Sequence, residues 1–156
     1  MMNRNLKGKR ILITGASRGM GAELARLCAK AGARLALVAR SKIELENLAS
    51  ELTALGADAK AFPADITCNI ERDNLFRQIK DHFHELDILV NNAGINMKRP
   101  AVEVSDDDFA NIINVNLNAV FSLTREVGKH MLERGKGSII MISSMAAYYG
   151  IDRVAA

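Results

Sequence analysis

A chain of 156 residues, 49% hydrophobic and 25% charged, is long enough to bury one ordinary core and has the balance of a soluble domain. Its net charge of +3 is mild, its basic residues are scattered, and 4% aromatics with no Trp leave no cationic, base-stacking face for nucleic acid. Cys28 and Cys68 are too few for a disulfide framework, no Cys/His spacing suggests a metal, and the short polar stretch from Met1 to Lys9 reads as neither signal peptide nor membrane span, so the expected setting is a reducing cytoplasm.

The first apolar run, Ile11 to Thr14, has the length of a strand. It enters Thr14-Gly15-Ala16-Ser17-Arg18-Gly19-Met20-Gly21, and a helical pattern from about Met20 to Ala31 follows, with Leu24, Leu27, Cys28 and Ala31 on one face. A strand that turns through glycines into a helix is an anion site, because unpaired amides and the positive dipole end face the same point. Gly15 permits the turn, Gly19 lets a ligand approach the backbone, and Gly21 lets helix and strand pack closely. The spacing G-x-x-x-G-x-G differs from the common dinucleotide fingerprint G-x-G-x-x-G.

Leu35 to Ala39 reads as a second strand, and Leu45, Leu48, Leu52 and Leu55 recur at helical spacing before Gly56. Lys60 to Pro63 is a weak third strand. Leu75, Phe76, Ile79 and Phe83 mark a third helix, and Asp87 to Val90 a fourth strand that runs into Asn91-Asn92-Ala93-Gly94. Ser105, followed by three aspartates, is a helix N-cap. A long helix is expected behind it, with Phe109, Ile112, Ile113, Asn116, Val120, Thr124, Val127 and Met131 along one face. Ser138 to Ile142 is a fifth strand arriving at Ser143 and Ser144. Alternating strands and helices with apolar strands predict an α/β, doubly wound parallel sheet in the order 3-2-1-4-5, its ligand crevice at the carboxyl ends beside strand one. No second domain, linker or internal repeat interrupts residues 1–156.

The glycine turn, Asp65 in Ala64-Asp65-Ile66-Thr67, the Asn91-Asn92-Ala93-Gly94 run, Asn116 in Asn-Val-Asn-Leu, and Ile142-Ser143-Ser144 occur in an order that resembles the short-chain dehydrogenases/reductases along nearly the whole chain. The resemblance implies a Rossmann-type fold and reversible hydride transfer between a nicotinamide and a small carbonyl or alcohol substrate. It also implies that Gly15, Ser17, Arg18 and Met20 line the pyrophosphate and adenosine ribose, that Asp65 and Ile66 contact adenine, and that Asn92, Ala93 and Gly94 flank the nicotinamide ribose. Ser144 would hydrogen-bond the reacting oxygen, and Asn116 would hold a water and a helix kink in a proton relay. Read from the residue alone, Asn116 serves equally as a core asparagine bonded to backbone. Members usually form homotetramers or homodimers.

NAD-preferring relatives carry an acid at the end of strand two; here Ala39 is followed by Arg40, and Arg18 stands in the glycine turn, which favours NADP over NAD. The family's proton donor is a tyrosine with a lysine four residues on. Tyr148 and Tyr149 have Asp152 and Arg153 at that spacing, so they read as surface aromatics. The sequence ends at Ala156, just short of the position where that tyrosine is expected, and reads as the N-terminal portion of an enzyme of roughly 250 residues whose later strands are absent. A non-catalytic nucleotide-binding or partner-binding module is the alternative. The run from Asn91 to Pro100 is similar to sugar-acid members, where Arg99 would either meet a carboxylate or stay solvated; 3-oxoacyl-carrier-protein reductases share most of these residues.

Overall fold

Leucine, isoleucine and valine runs without polar interruption make strands that are buried on both faces. The computed structural model describes residues 6–154, so the first five residues of the polar N-terminal stretch lie outside the described residues. Five strands form one sheet, β1 (Arg10–Thr14), β2 (Arg34–Ala39), β3 (Ala59–Pro63), β4 (Ile88–Asn91) and β5 (Ser138–Met141), in the order β3-β2-β1-β4-β5. Every neighbouring pair is parallel. This is the order that right-handed crossovers predict from the alternation of elements.

Alternate strand residues build two cores. Leu12, Ala36, Val38 and Leu89 face one side, under α3 (Asn69–Phe83) and α5 (Val120–Glu133). Ile11, Ile13, Leu35, Leu37 and Val90 face the other, under α1 (Gly19–Lys30) and α2 (Lys42–Ala54). Strands β1, β2 and β4 are covered on both faces, whereas every residue of β5 is exposed, and loops gather at the carboxyl ends.

Helix α1 turns a different face to the sheet than the leucine spacing predicts. Gly21, Ala22, Ala25 and Cys28 are buried, while Leu27 is 61% exposed. The start of α1 lies so close to the strand end that only small side chains fit beneath it. Leu55 is also exposed, because it sits past the end of α2 (Lys42–Ala54). The single long helix expected through Asn116 is divided into α4 (Asp106–Ile113), a π-helical segment over Asn114–Ala119, and α5. Ser105 caps α4 as read, its Oγ accepting from the Asp108 amide at 3.1 Å. The wider π turn rotates the apolar stripe. Ile112, Val115, Ala119, Leu123, Val127 and Met131 are buried, whereas Phe109 and Asn116 are exposed. The reading of Asn116 as a core residue is thereby corrected.

At the amino ends of the strands a compact charge cluster holds β1, β4 and the end of α5 together. Arg10 donates through Nε to Asp87 Oδ2 at 2.9 Å and through Nη2 to Asp87 Oδ1 at 3.0 Å, and reaches Glu85 at 2.8 Å. Arg134 Nη2 lies 3.2 Å from Asp87 and 2.9 Å from Glu85, and its Nη1 donates to the Leu86 carbonyl. The side chains of Asp87 and Arg134 are only 13% and 10% exposed. The side-chain hydrogen bonds from Arg10, against an opposing effect of burial, hold the Asp87 carboxyl far below the usual aspartate range. Such a carboxylate contributes stability above its unfolded pKa of about 3.9 and loses it as pH falls through the lower folded value.

Asp87→Asn is therefore expected to lower the unfolding free energy by about 3 kcal/mol near neutral pH, where two arginines keep only the more exposed Glu85 as a shared anion. Urea titrations across pH check this: the gap between wild type and variant should narrow below about pH 4. A gap that stays constant into acid would refute the assignment of that stability to the Asp87 charge.

Candidate functional site

The strand ends converge on a cleft of about 390 Å³ at the switch point beside β1. The glycine turn supplies Gly15, Ser17, Arg18, Gly19, Met20 and Gly21; the end of β2 supplies Arg40; the loop after β3 supplies Asp65 and Ile66; the loop after β4 supplies Asn92, Ala93 and Gly94. Every residue expected at the cofactor is thus brought to one cavity. Ser144 and Asn116 line a second cleft of about 620 Å³ that adjoins the first through Asn92, Ala93, Gly94 and Ile95.

Backbone geometry shapes the first cleft. Gly15 has φ +64°, and a Cβ there would come within 2.9 Å of Ala93 Cα. A Cβ on Gly21 would overlap the Gly15 carbonyl and lie 2.6 Å from Asn92 Nδ2. At Gly19 (φ +56°) a Cβ would meet nothing within 4 Å, so this glycine faces open space and serves conformation and access. Helix α1 begins at Arg18 with no side-chain cap and no acidic residue in its first turn. Its amides and positive dipole end face the cleft without an anion of their own, which fits a diphosphate held against the turn.

Sequence reading passed over two residues here, Thr14, which fixes this geometry, and Ser41, which lines the cleft. Thr14 is buried; its Oγ1 accepts from the amides of Asn92 and Ala93, both at 3.0 Å, and donates to the Val90 carbonyl at 3.4 Å. Asn92 Nδ2 returns the connection, donating to the carbonyls of Thr14 at 2.9 Å and Gly15 at 3.3 Å. Ser41, the N-cap of α2, lines the cleft with a hydroxyl that makes no capping bond. Its place before the leucine-periodic helix was the available signal.

Asp65 is already committed locally. Its Oδ1 accepts from the Thr67 amide at 2.9 Å and the Thr67 hydroxyl at 2.7 Å. Burial pushes its carboxyl up, but those bonds and the charge of Arg40 outweigh it and hold the group below the ordinary aspartate value. The residue is ionised at neutral pH, with a free Oδ2 to accept hydrogen bonds.

In the second cleft, Asn116 sits in the π segment and pairs with loop backbone in both directions. Ile95 N donates to its Oδ1 and its Nδ2 donates to Ile95 O, each at 2.9 Å. Asn116 thus bonds to backbone, but from an exposed position and not from the core. Ser144 Oγ accepts from Ala146 N at 3.1 Å, which leaves its own proton to donate into the cleft. Tyr148 and Tyr149 are exposed beyond it. Arg99 lines neither cleft; its guanidinium donates to Asp108 at 3.1 Å.

Comparison with known proteins agrees with this architecture. The family model for short chain dehydrogenase matches residues 9–156. The chain is 39% identical over 150 residues to a 2-dehydro-3-deoxy-D-gluconate 5-dehydrogenase of Pseudoalteromonas atlantica, covering 94% of this chain and 58% of that protein. It is 37% identical over 141 residues to a gluconate 5-dehydrogenase of Gluconobacter oxydans, covering 90% of this chain and 55% of that one. The crystal structure of a short-chain type dehydrogenase/reductase from Mycobacterium marinum superposes with a TM-score of 0.91 at 31% identity, over 97% of this chain and 63% of that chain. The chain therefore spans little more than half the length of the curated relatives it matches. With its strand order, its glycine turn at the switch point and a family match that runs from residue 9 onward, this chain belongs to the short chain dehydrogenase family.

Proposed function

We propose that the first cleft binds NADP and that the protein is an oxidoreductase acting on a small carbonyl or alcohol substrate. The observation that carries the cofactor choice is the charge at the end of β2. Ala39 and Arg40 stand where an NAD-preferring site needs a carboxylate, and Arg18 lines the same cavity from the glycine turn. Two guanidinium groups and the uncapped Ser41 hydroxyl suit a ribose 2′-phosphate, whose charge-assisted bonds are among the strong ones. The Asp65 carboxylate does not oppose this, because Thr67 and Arg40 already engage it.

When bound, the nicotinamide supplies the hydride. The residues of this chain bind and orient: the α1 amides hold the diphosphate, Asp65 and Ile66 receive the adenine, and Asn92, Ala93 and Gly94 support the nicotinamide ribose. Ser144 donates a hydrogen bond to the reacting oxygen of the substrate without giving up its proton, and Asn116 holds the loop at Ile95 that forms one wall. The sugar-acid activities in the names of the relatives support a sugar-acid substrate such as 5-ketogluconate; a 3-oxoacyl thioester is the competing class. Arg99, engaged by Asp108, is the wrong residue to anchor such a carboxylate in this geometry.

Titration with NADPH and NADH, followed by nicotinamide fluorescence, tests the cofactor choice. NADPH should bind at least about tenfold more tightly, the scale of one hydrogen bond to a charged group. Equal affinities would end the NADP reading. Arg40→Asp should weaken NADPH about 10–100-fold while leaving NADH within a few fold, since only the 2′-phosphate is lost from its reach.

Neither tyrosine has a lysine four residues on, so within residues 1–156 no phenol has the partner that lowers its pKa toward neutrality. The purified 156-residue polypeptide is expected to bind NADPH yet reduce 5-ketogluconate or acetoacetyl thioester at least about 10²-fold more slowly than a family enzyme with that pair. Turnover at an ordinary enzymatic rate would show that another group supplies the proton.

A further inference from the structure

Met20 is the second residue of α1 and, among the described residues, the only methionine that lines the first cleft. It is 61% exposed. A thioether at this place is apolar and adaptable, and makes no claim on the amides around it. Those amides have no capping side chain and, unlike the first turns of α2, α3 and α4, no acidic neighbour. An oxygen carrying negative charge that appeared on the Met20 side chain would meet the donors and dipole end that favour an anion.

We infer that Met20 is an oxidation site whose conversion to the sulfoxide closes the first cleft to the dinucleotide; this rests on the reading of that cleft as the diphosphate site. The oxidant is a hydroperoxide, hydrogen peroxide being the simplest. A sulfur lone pair attacks one peroxide oxygen, the S–O bond forms as the O–O bond breaks, and the proton on the transferred oxygen passes to the departing one. Sulfur is oxidised by two electrons and the peroxide is reduced to water. The product is polar, and its oxygen is a strong acceptor beside the helix start. It competes with the diphosphate for the same N–H groups. Methionine sulfoxide reductases reverse the step, so the closure is a switch and not only damage.

The other described methionines supply the control. Met97 is half-buried and lines neither cleft, Met131 is buried, and Met141, 51% exposed, lines the second cleft and touches Asn91 Nδ2 through its sulfur at 3.3 Å. Met145 is 65% exposed and lines neither cleft. It reports peroxide access without reporting on the dinucleotide.

The 156-residue polypeptide is treated with hydrogen peroxide, mapped by peptide mass spectrometry and titrated with NADPH before and after. Met20 and Met145 should each gain one oxygen, and NADPH present during treatment should protect Met20 alone. Full conversion at Met20 should weaken NADPH about tenfold or more, the effect of losing one bond to a charged group, and methionine sulfoxide reductases A and B together should restore it. Met20→Leu, close in volume and unable to take up oxygen, sets its own NADPH baseline before treatment and should lose none of that affinity under peroxide. Met20 sulfoxide with unchanged NADPH affinity, no oxidation at Met20 while Met145 reacts, or an equal loss in the leucine variant would each overturn the inference and leave the cleft reading intact. Failure of the untreated protein to bind NADPH would instead remove the cleft reading, and the inference with it, before any peroxide is added.

Discussion

At the carboxyl end of β1 two chain segments leave the sheet toward opposite faces, and the hydroxyl of Thr14 joins them there. It receives the amides of Asn92 and Ala93 and gives its own proton to Val90, while the Asn92 side chain bonds the carbonyls of the turn. A buried amide without a partner costs about as much as a hydrogen bond itself is worth, so these groups have little freedom to part. The left-handed Gly15 and the tight seat of Gly21 follow from that closeness. Without the joint, the start of α1 and the loop after β4 would have no fixed relation, and the cleft between them no fixed width.

Charge is then distributed around a frame that neutral bonds have set. The α1 terminus presents partial positive charge, Arg18 and Arg40 add full charges at one end, and Asp65 is held in place by Thr67. Helix α4 shows the contrast: Ser105 caps it and Asp106, Asp107 and Asp108 complement its dipole internally. One helix satisfies its own terminus and the other leaves it open to the cleft. The second cleft relies on a different device, in which a π turn lifts Asn116 out of the buried stripe and lets it grip the Ile95 backbone.

What could be read in advance followed from local rules. Glycines at positions with φ near +60°, a serine ahead of three aspartates and uninterrupted apolar strands each carry their meaning within a few residues. The cluster of Arg10, Asp87 and Arg134 carries none, because its partners lie far apart in sequence and each looks like an ordinary surface charge. Leu27 misled through the same locality: helical spacing shows which residues share a face, but the small side chains under α1 were selected by the nearness of the strand. The π segment was hidden for a related reason, since an extra residue in one turn moves the stripe from Asn116, Val120 and Thr124 to Val115, Ala119 and Leu123, while Val127 and Met131 stay on it. Thr14 was visible in the sequence as a strand residue, and only its hydrogen bonds reveal a second duty.

The guanidinium and carboxylate groups at the amino ends of the strands lie opposite the cleft. The sheet is thus fastened like a cantilever, with charged anchorage at its root and neutral stitching toward its tip. The loops that line the first cleft occupy the far end, where that stitching sets their spacing, so a change at the root would reach them only along the length of the strands.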